Sequence, residues 1–177
     1  MQRKTRPISD KFLDLLLVLG LFLASASPLA ADNLAKGSEL LLYNKPSEAA
    51  SYLERAVIED PTNGEAYYRL GIVYEQLKQY DKAIGSLRSA MDRNFATKAE
   101  LYGRMAKIAL LKGDIDQCLA FNTQVLELLP DNSTALLNRA NAWFRKSQFD
   151  EAVSDYRRFI EVDPQNPLKP EVVRMIQ

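Results

Sequence analysis

The sequence contains no histidine. That absence removes the commonest general base, the side chain that titrates near neutral pH and the commonest zinc ligand. It has a single cysteine, Cys118, so no disulfide can form within the chain. A lone thiol becomes a nucleophile only beside an activating base or with a depressed pKa. Nothing in the sequence supplies either, and Cys118 reads as a small buried hydrophobe. Glycine is scarce, at 7 of 177 residues. No glycine-rich phosphate loop, metal-ligand cluster or nucleophile–base pair appears. Acidic and basic residues balance at 23 each with no basic block, which argues against nucleic acid as a general partner. No enzymatic activity, cofactor or metal site is expected.

What remains is a chain rich in Leu, Ala and charged residues, a mix that suits helices, and long enough for one domain with a real core. Its N-terminus carries Arg3, Lys4, Arg6 and Lys11, then an apolar run from Leu15 to Ala26, then small residues at Ala24-Ser25-Ala26 and Leu29-Ala30-Ala31. The order basic, apolar, small is that of a secretory signal. The run of 12 residues would make a helix of about 18 Å, well short of a bilayer core of about 30 Å. Residues 1–31 are therefore expected to be a signal peptide cleaved after Ala26 or Ala31, with a periplasmic mature chain. The alternative is an uncleaved membrane anchor, and membrane contact is expected only if that segment is retained.

Beyond residue 31 the chain repeats itself. Gly37, Gly71, Ala106 and Ala140 fall 34, 35 and 34 residues apart. In the same register lie Ala49, Ala83, Cys118 and Ala152, and likewise Pro46, Tyr80, Ile115 and Phe149. So do Asp60-Pro61, Leu129-Pro130 and Asp163-Pro164, with Phe95 where one copy lacks its proline. Within each copy the apolar residues step by three and four, as Tyr67, Leu70, Gly71 and Tyr74 do, then Ala83, Ile84, Leu87 and Ala90. Both sets share one face of a helix. The short link at Lys78-Gln79 makes the two helices antiparallel neighbours. Small residues at the two recurring sites let the backbones approach. The prolines end the second helices, and Asn63, Asn132 and Asn166 stand where N-caps are useful. The extra residue near Asn94–Thr97 lengthens an inter-repeat turn without shifting a face.

This period and pattern resemble the tetratricopeptide repeat. Repeats 32–63, 64–98, 99–132 and 133–166 fit it, with departures at Asn33 and Lys36, at Asn122 where a large residue is usual, and at Phe159 where Ala is. The resemblance implies an all-α fold: a right-handed superhelical solenoid of four helix-turn-helix repeats with a concave inner face. A helical pair cannot bury its apolar side alone, so repeats must stack. Residues 167–177 read as a short C-terminal helix capping the stack. An end left partly open would allow a homodimer.

In this family the groove is lined by the first helix of each repeat. Carried onto this chain, that implies Tyr68, Arg69, Ile72, Arg104, Lys107, Asn138, Asn141, Phe144 and Arg145 as peptide-binding residues. Arg69, Arg104 and Asn138 occupy one register position and should form a row. Arg can grip a carboxylate with two hydrogen bonds, and Asn can bond an extended backbone, so a peptide with an acidic group is expected. An alternative reading of the same charges is a solvated inner wall, offset by Glu65, Glu75 and Glu100. The family's carboxylate clamp is not reproduced, since its positions hold Leu34, Ser38, Arg69, Glu100 and Arg104. The function implied is an exported scaffold binding a peptide or protein partner in envelope assembly. The alternatives are a membrane-tethered assembly factor, or a ligand-binding partner of a transporter with Tyr68, Leu111 and Phe144 lining a pocket.

Overall fold

Helix starts and stops follow local chemistry. The computed structural model describes residues 28–177, and among these every regular element is a helix: α1 Pro28–Leu42, α2 Pro46–Glu59, α3 Gly64–Gln76, α4 Tyr80–Asp92, α5 Lys98–Lys112, α6 Ile115–Leu128, α7 Ser133–Arg145, α8 Phe149–Val162 and α9 Lys169–Met175. Most of the expected signal segment lies outside the described residues; its last four residues, 28–31, form the first turn of α1.

Side-chain oxygens satisfy free first-turn amides at several helix starts. Asn63 accepts from the Ala66 N–H at 3.1 Å and Asn132 from the Ala135 N–H at 2.9 Å. Thr97 accepts from the Glu100 N–H at 3.2 Å and Asp114 from the Gln117 N–H at 3.0 Å. Asn166 does not cap α9. Its Oδ1 accepts from the Leu168 N–H at 3.0 Å and its amide donates to Asp163 at 2.7 Å, closing a tight turn before the helix begins at Lys169. Thr97, by contrast, lies in the lengthened turn and caps α5.

The helices pack as four antiparallel pairs, α1/α2, α3/α4, α5/α6 and α7/α8, stacked in chain order through α2–α3, α4–α5 and α6–α7. The small residues stand where the pairs close. Ala49, Ala83, Cys118 and Ala152 are at most 1% exposed. A Cβ on Gly37 would lie 2.6 Å from Leu53 Cγ, and one on Gly71 would lie 2.9 Å from Leu87 Cγ. Phe95 takes the place of a proline because Gly64 leaves it room: a Cβ there would lie 2.6 Å from the Phe95 Cβ. The lengthened turn carries two left-handed residues, Asn94 (φ 55) and Ala96 (φ 64), and α4 packs on α5 more loosely than the corresponding helices do at the other two seams.

The apolar core falls into two clusters. One runs from Leu40 through Leu53, Leu70, Leu87 and Met105 to Phe121 and reaches Ala142 on α7. The other joins Val125 and Leu136 to Tyr156, Phe159 and Val172. Half-buried Tyr102 and Trp143 border both. The oversized Phe159 thus lies on the far side of α8, where α9 covers it through Val172. Across the seams, Lys112 donates to Asp81 at 2.6 Å, and Lys146 to Asp116 at the equivalent position one repeat later.

Candidate functional site

The first helices of the repeats meet along one side of the stack, and their exposed residues face one another there. Glu75 on α3 is the hub. Its side chain is 11% exposed and accepts from Arg104 at 2.9 Å and from Lys107 at 2.8 Å, both on α5. The Arg104 guanidinium also lies over the Tyr68 ring, 5.4 Å from its centroid. Tyr68 packs on Phe95 with 5.3 Å between centroids, and its hydroxyl donates to Glu100 at 3.3 Å. Tyr68, Arg104 and Lys107 are therefore gathered into one cluster bridging α3 and α5.

The expected row of Arg69, Arg104 and Asn138 does not present free cations. Arg69 turns along its own helix and donates twice to Glu65, from Nε at 2.8 Å. Arg104 is held by Glu75. The acid-binding role thus meets guanidinium groups already carrying a carboxylate each, and the offset by Glu65 and Glu75 is built into the geometry. Ile72 is half-buried on α3. Asn141 is partly committed, since its Oδ1 accepts from the Tyr156 hydroxyl at 2.6 Å. Phe144 and Arg145 sit apart at the end of α7. Phe144 is 45% exposed and packs edge-on against Phe149 with 5.4 Å between centroids, and Arg145 makes no ion pair among the described residues. The pocket expected from Tyr68, Leu111 and Phe144 is not assembled, because the two aromatic rings have separate partners.

Asn138 lines a niche of about 490 Å³ between α5 and α7. Its side chain has no hydrogen bond within the described residues. The niche exists because Gly103 stands at a groove position: a Cβ there would meet nothing within 4 Å. Glu100 and Lys107 lie on the same wall, Thr134 on the opposite one, and Asn122 of α6 at the base. Register places Gly103 on the inner face but gives no sign of the gap it leaves, and it does not assign Asn122 to the groove. The departure of Asn122 from the large residue expected there was the one available signal. A second, larger cavity of about 730 Å³ opens on the outer side between α4 and α6, over Met91, Tyr102, Met105, Phe121 and Trp143.

Cys118 is buried, and burial pushes its thiol pKa up, the opposite of what a nucleophile needs. Among the described residues, no group of three or more carboxylate or thiol side chains could hold a metal ion. No described helix is long and apolar enough to cross a membrane.

Family models for the tetratricopeptide repeat match residues 40–108 and 104–167. The BBSome complex member BBS4 of Bos taurus is 30% identical over 145 residues, covering 81% of this chain and 27% of that protein. The Mus musculus protein is 34% identical over 115 residues, 64% of this chain and 22% of its own. The chain thus spans about a quarter of the length of these curated relatives. Among solved structures, MamA superposes with a TM-score of 0.68 at 23% identity, over 77% of this chain and 79% of its own. YrrB, described as a TPR protein with an unusual peptide-binding site, gives 0.67 at 17% identity over 91% and 79%. A tetratricopeptide repeat protein from Parabacteroides merdae gives 0.74 at 16% identity over 84% and 59%. At these identities the structural likeness concerns the fold.

Proposed function

Because the chain belongs to the tetratricopeptide-repeat family, we propose that it is a protein-binding scaffold whose inner face, along α3, α5 and α7, holds a segment of a partner polypeptide. The observation that carries this is the division of labour along that face. Glu75, Arg104, Lys107 and Tyr68 brace neighbouring helices against each other, while Asn138, Phe144 and Arg145 keep unspent hydrogen-bonding, apolar and cationic capacity. A braced wall with free groups loses little entropy when a ligand orders against it. The peptide-binding site named for the similarly folded YrrB supports the same use of the fold. The neutralised arginines make an acidic group on the ligand a minor contributor, with Arg145 the cation best placed to meet one.

The test compares two faces of the full chain. Asn138→Ala with Phe144→Ala should lower partner affinity roughly tenfold to a hundredfold, and Arg88→Ala on the outer cavity should leave it unchanged. The reverse pattern would overturn the assignment.

We further infer that the chain is exported and acts in envelope assembly, on the basic, apolar and small order of its first residues. Cleavage after Ala26 would leave α1 whole. Cleavage after Ala31 would remove Ala30, which is 2% exposed. Mass spectrometry of the mature protein should find Ser27 at its start; a chain retaining residues 12–31 would instead indicate the tethered form. The end of the stack presents Leu168 and Met175 to solvent, which supports a weak homodimer. A single monomeric mass in sedimentation at about 100 µM, some hundredfold above the Kd of a modest interface at −8.2 kcal/mol, would exclude it.

A further inference from the structure

Asn122 occupies the position held by Leu53, Leu87 and Tyr156 in the other repeats. Its side chain belongs to a residue 1% exposed. The amide nitrogen donates to the Cys118 carbonyl at 2.8 Å and approaches the thiol sulfur at 3.4 Å. A carbonyl can only accept, so it fixes which end of the amide faces it and turns Oδ1 the other way. No donor among the described residues reaches that oxygen. No sealed side-chain polar atom among these residues lacks a partner, so Oδ1 opens on the niche that Asn122 lines. A carbonyl oxygen at the base of a cleft, with nothing donating to it, selects for a ligand that donates.

The surroundings narrow the choice. An anionic side chain would face Glu100 and the Asn122 carbonyl. A cationic one would face Lys107 and the first turns of α5 and α7, whose N-termini carry partial positive charge. A carboxamide suits both: its NH₂ meets Asn122 Oδ1, and its carbonyl meets the unspent amide of Asn138. Resting on the groove proposed above, we propose that the Gly103 niche is a side-chain subsite that takes an Asn or Gln of an extended peptide. Gly103 keeps it open, Asn122 accepts from the incoming NH₂, and Asn138 donates to its carbonyl. Apolar isosteres are rejected because they leave the Asn122 oxygen desolvated and unpaired.

The experiment pans a random displayed-peptide library against the full chain and, in parallel, against Gly103→Leu, which fills the niche from a position where a Cβ meets nothing. The expected result is a family of peptides with Asn or Gln fixed at one position, enriched by the wild type and lost on Gly103→Leu. On the wild-type protein alone, replacing that Gln by Met or Glu should weaken binding roughly tenfold to a hundredfold; this arm needs no variant to fold. Peptides enriched equally by both proteins, or a Met peptide bound as tightly as the Gln one, would overturn the subsite and leave the groove standing. A fixed Lys or Arg would overturn the carboxamide assignment. Enrichment of nothing by either protein would reject the groove and the niche together.

Discussion

Gly71 and Gly85 lie on facing helices of one repeat, yet a methyl group would do opposite things to them. At Gly71 it would meet Leu87 Cγ at 2.9 Å and the Ala83 carbonyl at 3.3 Å. At Gly85 it would meet nothing within 4 Å. Gly85→Ala should therefore gain up to about 1 kcal/mol from helix propensity, and Gly71→Ala should lose about 1–3 kcal/mol from overpacking. Urea unfolding midpoints read both. Tyr74 supplies a pH-dependent counterpart. Burial, and then the hydrogen bond to Glu54 at 2.7 Å, push its pKa up to about 12. A pKa raised in the folded state means that the native protein holds a proton the unfolded chain releases near pH 10. This contribution is complete below pH 10 and is lost as pH rises toward 12. It is about 2–3 kcal/mol, and Tyr74→Phe should show a flatter decline in stability over that window.

At the scale of helices, α7 and α8 are held by more than their apolar faces. Arg139 donates to both oxygens of Asp155, at 2.7 and 2.8 Å, and the Asp155 side chain is 9% exposed. Removing one partner leaves a largely buried charge uncompensated. Asp155→Ala should cost about 2–4 kcal/mol, whereas Lys146→Ala at the exposed seam pair should cost under about 1 kcal/mol; thermal melts of the two variants give the comparison. These pairings were not legible in the sequence, although the helices were. Apolar residues at three- and four-residue steps fix a helix and its buried side, because burial is what selects them. The turns joining paired helices were placed only by phase: each contains one left-handed residue at the same register position, and those residues are Asn44, Lys78, Gly113 and Ser147. Only one is glycine, so residue type gave little warning. Register gave the helix and face of Asn138 and Arg145, on which the proposed groove rests. For Arg69 and Arg104 register gave the place but not the partner, since one helix surface does not say which carboxylate faces it.

For the whole molecule, the division of the core into two clusters sets how it comes apart. The second is smaller, lies at one end and is closed by α9 alone. Native-state hydrogen exchange should find α7 and α8 opening at lower free energy than α3 to α5. Deleting residues 168–177 uncovers Phe159, which is 1% exposed, and should speed exchange in α8 while leaving α3 and α4 near their original rates. Equal acceleration throughout would mean that the stack unfolds as one unit.

The buried amide of Asn122 lies beside Phe121 of the first cluster and three residues before Val125 of the second. Whatever rests against it lies between α5, whose Leu101 and Met105 belong to the first cluster, and α7, whose Ala135 and Leu136 belong to the second. A bound segment would then act as a splint across the weakest span, slowing proteolytic nicking around Leu129 and Pro130 by tying the fragile tail of the array to its sturdier front.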